Sequence, residues 1–384
     1  MITPEQVLAL LEEHTNVLLY GPPGTGKSHL MKQVENLFKS KYSGCAAAGT
    51  IVIDTEKERE AIVEETVPGS HSRWVTFHQG YSYEDFVIGL RPLPAGGEQA
   101  GSVLSLEAKA GALLELAAYA KRSRGLMVID EINRGNTSRI FGEFITLMEV
   151  DKRLDEEGKP METSVPVTLP YLSHGQIIEV AEGVEVGRDF QMPRHIYTLA
   201  SMNSVDKSTS PIDAAIRRRF YLCQLRPTDS DWDTVAGVED AKNSVAGVAV
   251  EVMKKINRGI GLYLGPDYML GQYYLPSSPK LGEMSEQEAK ERLLGIWRHK
   301  VLPQLVEFFH ARPGICMSIL ETEQHGADSG LTTVLPGNAE ADQGAAPYIL
   351  IDEAEKDTDA LYGYLEKLAG MTSGDSTDGL AASS

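Results

Sequence analysis

Two hydrophobic patterns follow one another at the start of the chain. Val7, Leu8, Leu10 and Leu11 fall on one face at helical spacing. Thr3 is placed to cap that helix, Pro4 to take its first position, and Gln6 to complete a capping box with Thr3. Asn16 breaks the period, and Val17–Tyr20 reads as a short buried strand, with a helix expected over His29–Phe38. Further apolar runs predict strands at Arg73–Phe77, Leu126–Ile129 and His195–Ala200, and helices over Leu104–Ala120 and Arg139–Val150. Strands alternating with helices at this spacing argue for an α/β fold, a parallel sheet covered on both faces.

Two stretches depart from that rhythm. Asp151–Asp189 mixes charges, Gly and Pro with β-branched runs at Thr163–Thr168 and Ile177–Val180, and reads as a hairpin inserted between a helix and a core strand. After about Pro227 the pattern turns helical, at Val248–Ile256, Ser285–Gly295 and Lys300–Phe309. The expected organisation is a nucleotide-binding core over residues 1–228 with an insertion near 151–189, and a smaller helical lid over 229–369. Gly370–Ser384 holds little that could be buried and reads as a disordered tail.

The strand Val17–Tyr20 runs into Gly21-Pro22-Pro23-Gly24-Thr25-Gly26-Lys27-Ser28, a full G-x-x-x-x-G-K-[ST] motif between a strand and a helix. Glycines there let successive N–H groups turn toward phosphate oxygens at a helix N-terminus. Lys27 would reach the β- and γ-phosphates, and the Ser28 hydroxyl would bind Mg²⁺. About a hundred residues on, Leu126–Ile129 ends in Asp130 and Glu131. Asp130 suits a Mg²⁺ ligand, and Glu131 suits the base that polarises the attacking water. On its own such an acidic pair is most often a cap or a solvated turn; the motif upstream changes that balance. Asn203, at the tip of the strand His195–Ala200 extended, is the candidate to hold that water, with Asp206 orienting it or an arginine. Arg217, Arg218 and Arg219 are consecutive, so they point some 100° apart on a helix and cannot share one role. An arginine finger, which stabilises charge on the transferring phosphoryl group, is the reading preferred over a solvated basic face.

These motifs together resemble the McrB family, the AAA+ motor subunits of modification-dependent restriction systems. The likeness runs over roughly residues 1–315. It includes Phe77–Phe86 with Gly89–Pro92, Asp130–Asn136, Phe141–Glu143, Leu147–Glu149, Met202–Ser208, Ala215–Phe220 and Leu264–Tyr274. The resemblance implies an AAA+ P-loop core with a helical lid, hydrolysis needing Asn203 and Asp206, and Arg218 and Arg219 acting across a subunit interface. It also implies a hexameric ring, GTP as substrate (with ATP the expectation from the wider AAA+ superfamily), and an McrC-like partner bearing the nuclease. Lys207 stands where the family usually has arginine, and Gln272 where a histidine often follows the lid glycine. The family's DNA-reading domain has no counterpart ahead of Gly21, so recognition of modified DNA is not carried over.

Composition narrows the remaining choices. A net charge of −19 argues against broad adhesion to nucleic acid, which leaves DNA contacted indirectly or through a pore. No apolar run approaches the ~20 residues of a membrane span. Cys45, Cys223 and Cys316 are far apart, as expected of a reducing cytoplasm. The expectation is a Mg²⁺-dependent NTPase ring serving a nuclease in restriction or antiviral defence. A MoxR-type chaperone remodelling protein complexes is the alternative.

Overall fold

The computed structural model describes residues 2–43, 70–92, 106–121, 123–181, 184–205, 212–239, 244–322, 331–334, 348–351 and 358–371. By its contacts the chain divides into two units. One comprises Ile2–Gly21 and Lys27–Leu225, and the other Pro22–Gly26 with Arg226–Ser384.

The first unit opens with helix α1 (Pro4–His14), capped as its sequence requires. The Thr3 hydroxyl accepts the Gln6 N–H at 3.3 Å, and Gln6 Oε1 accepts the Thr3 N–H at 2.9 Å. In chain order its strands are β1 (Asn16–Gly21), β2 (Ser70–Thr76), β3 (Ile88–Pro92), β4 (Leu106–Ala110), β5 (Arg124–Asp130), β6 (Val167–Thr168), β7 (Ile177–Ala181), β8 (Val184–Gly187), β9 (Asp189–Phe190), β10 (Ile196–Asn203) and β11 (Tyr221–Gln224). Five of them form a parallel sheet in the order β11-β1-β10-β5-β2. Alternation along the strands serves two cores. Val17, Leu19, Leu126, Val128 and Leu199 pack with α1 and helix α2 (Lys27–Lys41), while Leu18, Met127, Ile129 and Ala200 join Leu113, Leu116 and Ala117 on the opposite face. Burial on both faces explains why the apolar residues of β5 and β10 run consecutively, as at Leu126–Ile129, rather than alternating with exposed polar ones.

Two expected helices are corrected. Within Leu104–Ala120 only Ala112–Tyr119 is helical; Leu106–Ala110 is β4, paired antiparallel with β3, and 104–105 lie outside the described residues. Gly111 separates the two elements, because a Cβ there would meet the Phe86 carbonyl carbon at 2.5 Å. Within Arg139–Val150, Gly142 at φ +51 divides Thr137–Phe141 from Phe144–Leu147. The segment after Lys152 holds the β7/β8 hairpin and the short β6/β9 pair. Arg153 anchors it. Its guanidinium is fully buried and donates to the carbonyls of Leu147 at 2.6 Å, Met148 at 3.1 Å and Ile196 at 2.6 Å.

The second unit is mainly helical, built on Val245–Tyr263, Glu286–Ile296, Leu302–Phe308, Pro313–Ile319 and Thr358–Ala369. Trp232, Trp297, Ile256, Leu305 and Leu365 lie in its core. Buried Asn257 pins the loop ahead of Gly271, donating to the Leu270 carbonyl at 2.8 Å and accepting the Leu270 N–H at 2.7 Å. Burial pushes the Cys316 thiol up to about 12, which makes it an inert core residue. Cys45 and most of the expected tail, 372–384, fall outside the described residues. Among those described, no helix is long and apolar enough to cross a membrane.

Candidate functional site

Strand β1 delivers the glycine-rich segment to the end of the sheet. At Gly21 the chain passes so close to the Leu225 carbonyl that any Cβ would collide with it. Gly24 and Gly26 then take left-handed φ values of +76 and +81, which glycine adopts at little cost. The Thr25 hydroxyl closes the turn on the Pro22 carbonyl at 2.9 Å. Pro22–Gly26 pack against the segment Gly271–Tyr274. The Pro23 carbonyl accepts the Gly271 N–H at 3.0 Å, Gly24 accepts the Tyr273 N–H at 2.9 Å, and Thr25 accepts Gln272 Nε2 at 3.2 Å. In the sequence Gln272 is only a departure from the family pattern. Here it is 1% exposed and bonded to the glycine-rich turn.

Helix α2 begins at Lys27, so its first N–H groups and positive dipole end lie where the turn finishes. Lys27 is 7% exposed and donates from Nζ to the Gly21 carbonyl at 3.0 Å. Burial lowers its ammonium to about 8 despite the opposing pull of Glu131 and Asp130. The Ser28 hydroxyl reaches the two Asp130 oxygens at 3.3 and 3.2 Å. Two hard oxygens at this separation suit adjacent ligand positions of a Mg²⁺ ion, whose octahedral Mg–O distances of about 2.0–2.1 Å set cis oxygens ~2.9 Å apart. Among the described residues no cluster of three or more His, Cys, Asp or Glu side chains could hold a metal ion. Ser28 and Asp130 are the residues here that could hold such an ion.

Glu131 adopts φ 54, ψ 49, a left-handed conformation unusual for a side chain with a Cβ. Its carboxylate accepts a hydrogen bond from Asn203 Nδ2, and Arg134 Nε lies 3.4 Å from its second oxygen. The contact with Asn203 crosses from β5 to β10, and the Ser204 N–H ties the β10 tip to the Gly21 carbonyl at 3.1 Å. Thus Lys27, Ser28, Asp130, Glu131 and Asn203 converge at the ends of three adjacent parallel strands. Two further participants were missed from sequence. Ser201 bonds both acids, and buried Asn133 donates to the Asn203 carbonyl at 3.3 Å. A hydroxyl two residues before Asn203, on the same strand face, was the available signal.

The arginines separate. Arg218 is exposed, just past the short helix Ala214–Arg217. Arg219 is turned inward, its Nη2 2.8 Å from Glu149 and its Nη1 donating to the Ala215 carbonyl at 2.6 Å. Asp206 and Lys207 fall outside the described residues.

A parallel sheet of this order, with a G-x-x-x-x-G-K-[ST] sequence after β1 and two acids closing β5, is the arrangement of the AAA+ P-loop class. Residues 16–220 match the family described as AAA domain (dynein-related subfamily), and the chain belongs to that family. Residues 248–315 match the family described as McrB, alpha-helical lid domain, which makes the chain an McrB-like AAA+ subunit. It is 31% identical over 228 residues to the type IV methyl-directed restriction enzyme EcoKMcrB subunit of Escherichia coli (strain K12), covering 59% of this chain and 38% of that one. It is 25% identical over 226 residues to the type II restriction enzyme BsuMI component YdiS of Bacillus subtilis (strain 168), covering 53% of this chain and 55% of that one. The chain thus spans well under two thirds of either relative. The MoxR-type alternative is not favoured by these likenesses.

Proposed function

We propose that this AAA+ subunit hydrolyses ATP or GTP with Mg²⁺ in a ring, hexameric by family resemblance, and drives a partner nuclease in restriction. The core would comprise residues 1–228 and the lid 229–369. Gly21–Ser28 would bind the phosphates, with Lys27 on the β- and γ-groups. Ser28 and Asp130 would hold the Mg²⁺, which when bound supplies positive charge beside the transferring phosphoryl group. Asn203 would position the water whose proton Glu131 accepts as its oxygen attacks the γ-phosphorus. The bond from the γ-phosphorus to the β-phosphate oxygen breaks, and its electron pair leaves with the nucleoside diphosphate. Asp206 would orient Asn203 or an arginine. Arg218 and Arg219 would stabilise charge in a neighbour's site, Arg219 only after giving up Glu149.

The observation that carries this reading is the pairing of Asn203 with Glu131 beside the Ser28–Asp130 contact. A water-holding amide, a base and a pair of hard oxygens meet next to Lys27. The restriction role is supported by the relatives, named as a subunit and a component of restriction enzymes. An McrC-like nuclease-bearing subunit is the expected partner, with the inserted segment Asp151–Asp189 as a contact region and DNA engaged indirectly or through the pore.

The test is Glu131→Gln, which should keep nucleotide binding and abolish Mg²⁺-dependent turnover. Equal turnover by Glu131→Gln and wild type would refute the assignment of the base. Mixing Glu131→Gln with Arg218→Ala should restore part of the hydrolysis if the arginine acts in trans. Co-expression with neighbouring genes should yield a nuclease-bearing subunit that stimulates hydrolysis several-fold; stimulation by denatured proteins instead would favour a remodelling role.

A further inference from the structure

Past the Ile129–Ala200 pair the backbone ladder between β5 and β10 ends. Strand β10 nevertheless stays paired with β1 as far as Gly21–Asn203. On the β5 side, side chains replace the missing ladder. Ser201 is 1% exposed, and its hydroxyl donates to Asp130 Oδ1 while accepting the backbone N–H of Glu131 at 3.1 Å. One hydroxyl therefore holds the side chain of the first acid and the backbone of the second.

Glu131 needs such a hold. A non-glycine residue in the left-handed region is strained and persists only where its surroundings impose the conformation. At φ 54, ψ 49 the chain has left the strand direction, and the Glu131 N–H finds the Ser201 oxygen instead of a ladder carbonyl. The same turn carries the Glu131 carboxylate to Asn203 Nδ2.

We propose that Ser201 is a positioning residue for hydrolysis, locking Asp130 and the left-handed turn at Glu131 in register with Asn203. This rests on the roles given above to Asp130 and Glu131. Both hydrogen bonds of the Ser201 hydroxyl go to the acids and neither to the glycine-rich turn, so at saturating Mg²⁺ its loss falls on the chemical step rather than on nucleotide binding. A displaced base costs up to about 100-fold in rate when the shift approaches 1 Å.

The experiment compares Ser201→Ala, Thr198→Ala and Glu131→Gln in the full chain, at saturating Mg²⁺ and at a temperature where each is folded by circular dichroism. Thr198 is a buried residue on the same strand, three positions away, and its truncation removes a hydroxyl without touching the two acids' hydrogen bonds given above. Ser201→Ala is expected to lower kcat by about 10- to 100-fold with nucleotide Kd changed less than about threefold. Thr198→Ala should turn over like wild type. If Glu131→Gln is inactive while Ser201→Ala keeps wild-type kcat, the positioning role is refuted and the base assignment stands. If Ser201→Ala and Thr198→Ala lose kcat equally, Ser201 serves only the strand's packing, and the proposal is likewise overturned. An active Glu131→Gln would remove the site assignment itself, a different failure from either.

Discussion

Lys27 is a buried ammonium, and its removal should make the nucleotide-free protein more stable. Its value of about 8 lies below the ordinary 10.5, because burial outweighs attraction to Glu131 and Asp130. The difference corresponds to about 3 kcal/mol of destabilisation while the group is protonated. Replacing it with methionine keeps the length and apolar stem. The lost hydrogen bond to the Gly21 carbonyl costs about 1 kcal/mol, and that oxygen retains the Ser204 N–H at 3.1 Å. The net expectation for Lys27→Met at pH 7 is a gain of roughly 2 kcal/mol, a rise in Tm of about 4–8 °C for a unit of some 200 residues. Because the folded-state value is the lower one, the unfolded chain holds more protons between about 8 and 10.5, and wild-type stability rises with pH across that window. The variant's advantage should therefore be full below about pH 8, vanish before about pH 10.5 and then reverse by up to about 1 kcal/mol, as only the lost hydrogen bond remains. The assay is thermal unfolding with a chelator and no nucleotide, from pH 7 upward. Saturating Mg²⁺-nucleotide should reverse the order, since only wild type gains RT ln(1 + [L]/Kd). A variant that melts below wild type at pH 7 without ligand would refute the reasoning.

Two further outcomes are expected. Arg219→Ala should lower stability by about 1–3 kcal/mol in chemical denaturation, because it strips the partner from Glu149, whereas exposed Arg218→Ala should leave it within about 0.5 kcal/mol. Burial raises the Glu35 carboxyl, but hydrogen bonds from Lys32, Lys39 and Ser72 prevail and hold it at about 2. Lys32 and Lys39 are largely solvated, so Glu35→Gln should cost only about 1 kcal/mol at pH 7. That stabilisation is present above about pH 4.5 and lost toward pH 2, so denaturation curves of variant and wild type should converge in acid.

What could be read directly from the chain was what depends on neighbours in sequence. The cap at Thr3–Gln6, the turn Gly21–Ser28 and the acids closing β5 are local, since each needs only a few consecutive residues with the right backbone freedom and side chains. The buried parallel strands were legible for the same reason, as runs apolar on both faces. Only the tertiary structure could decide contacts between distant positions. The β3/β4 pairing turned Leu106–Ala110 from expected helix into strand, because a cross-strand partner overrode local pattern. The ion pair with Glu149 set Arg219 apart from Arg218, although the two are adjacent in a run that looks uniform. Ser201 reads as an ordinary strand serine until β5 and β10 lie side by side, which brings its hydroxyl against two acids some seventy residues earlier. A side chain's role in such a site follows from which hydrogen-bonding groups burial leaves within its reach, and the folded sheet alone determines that.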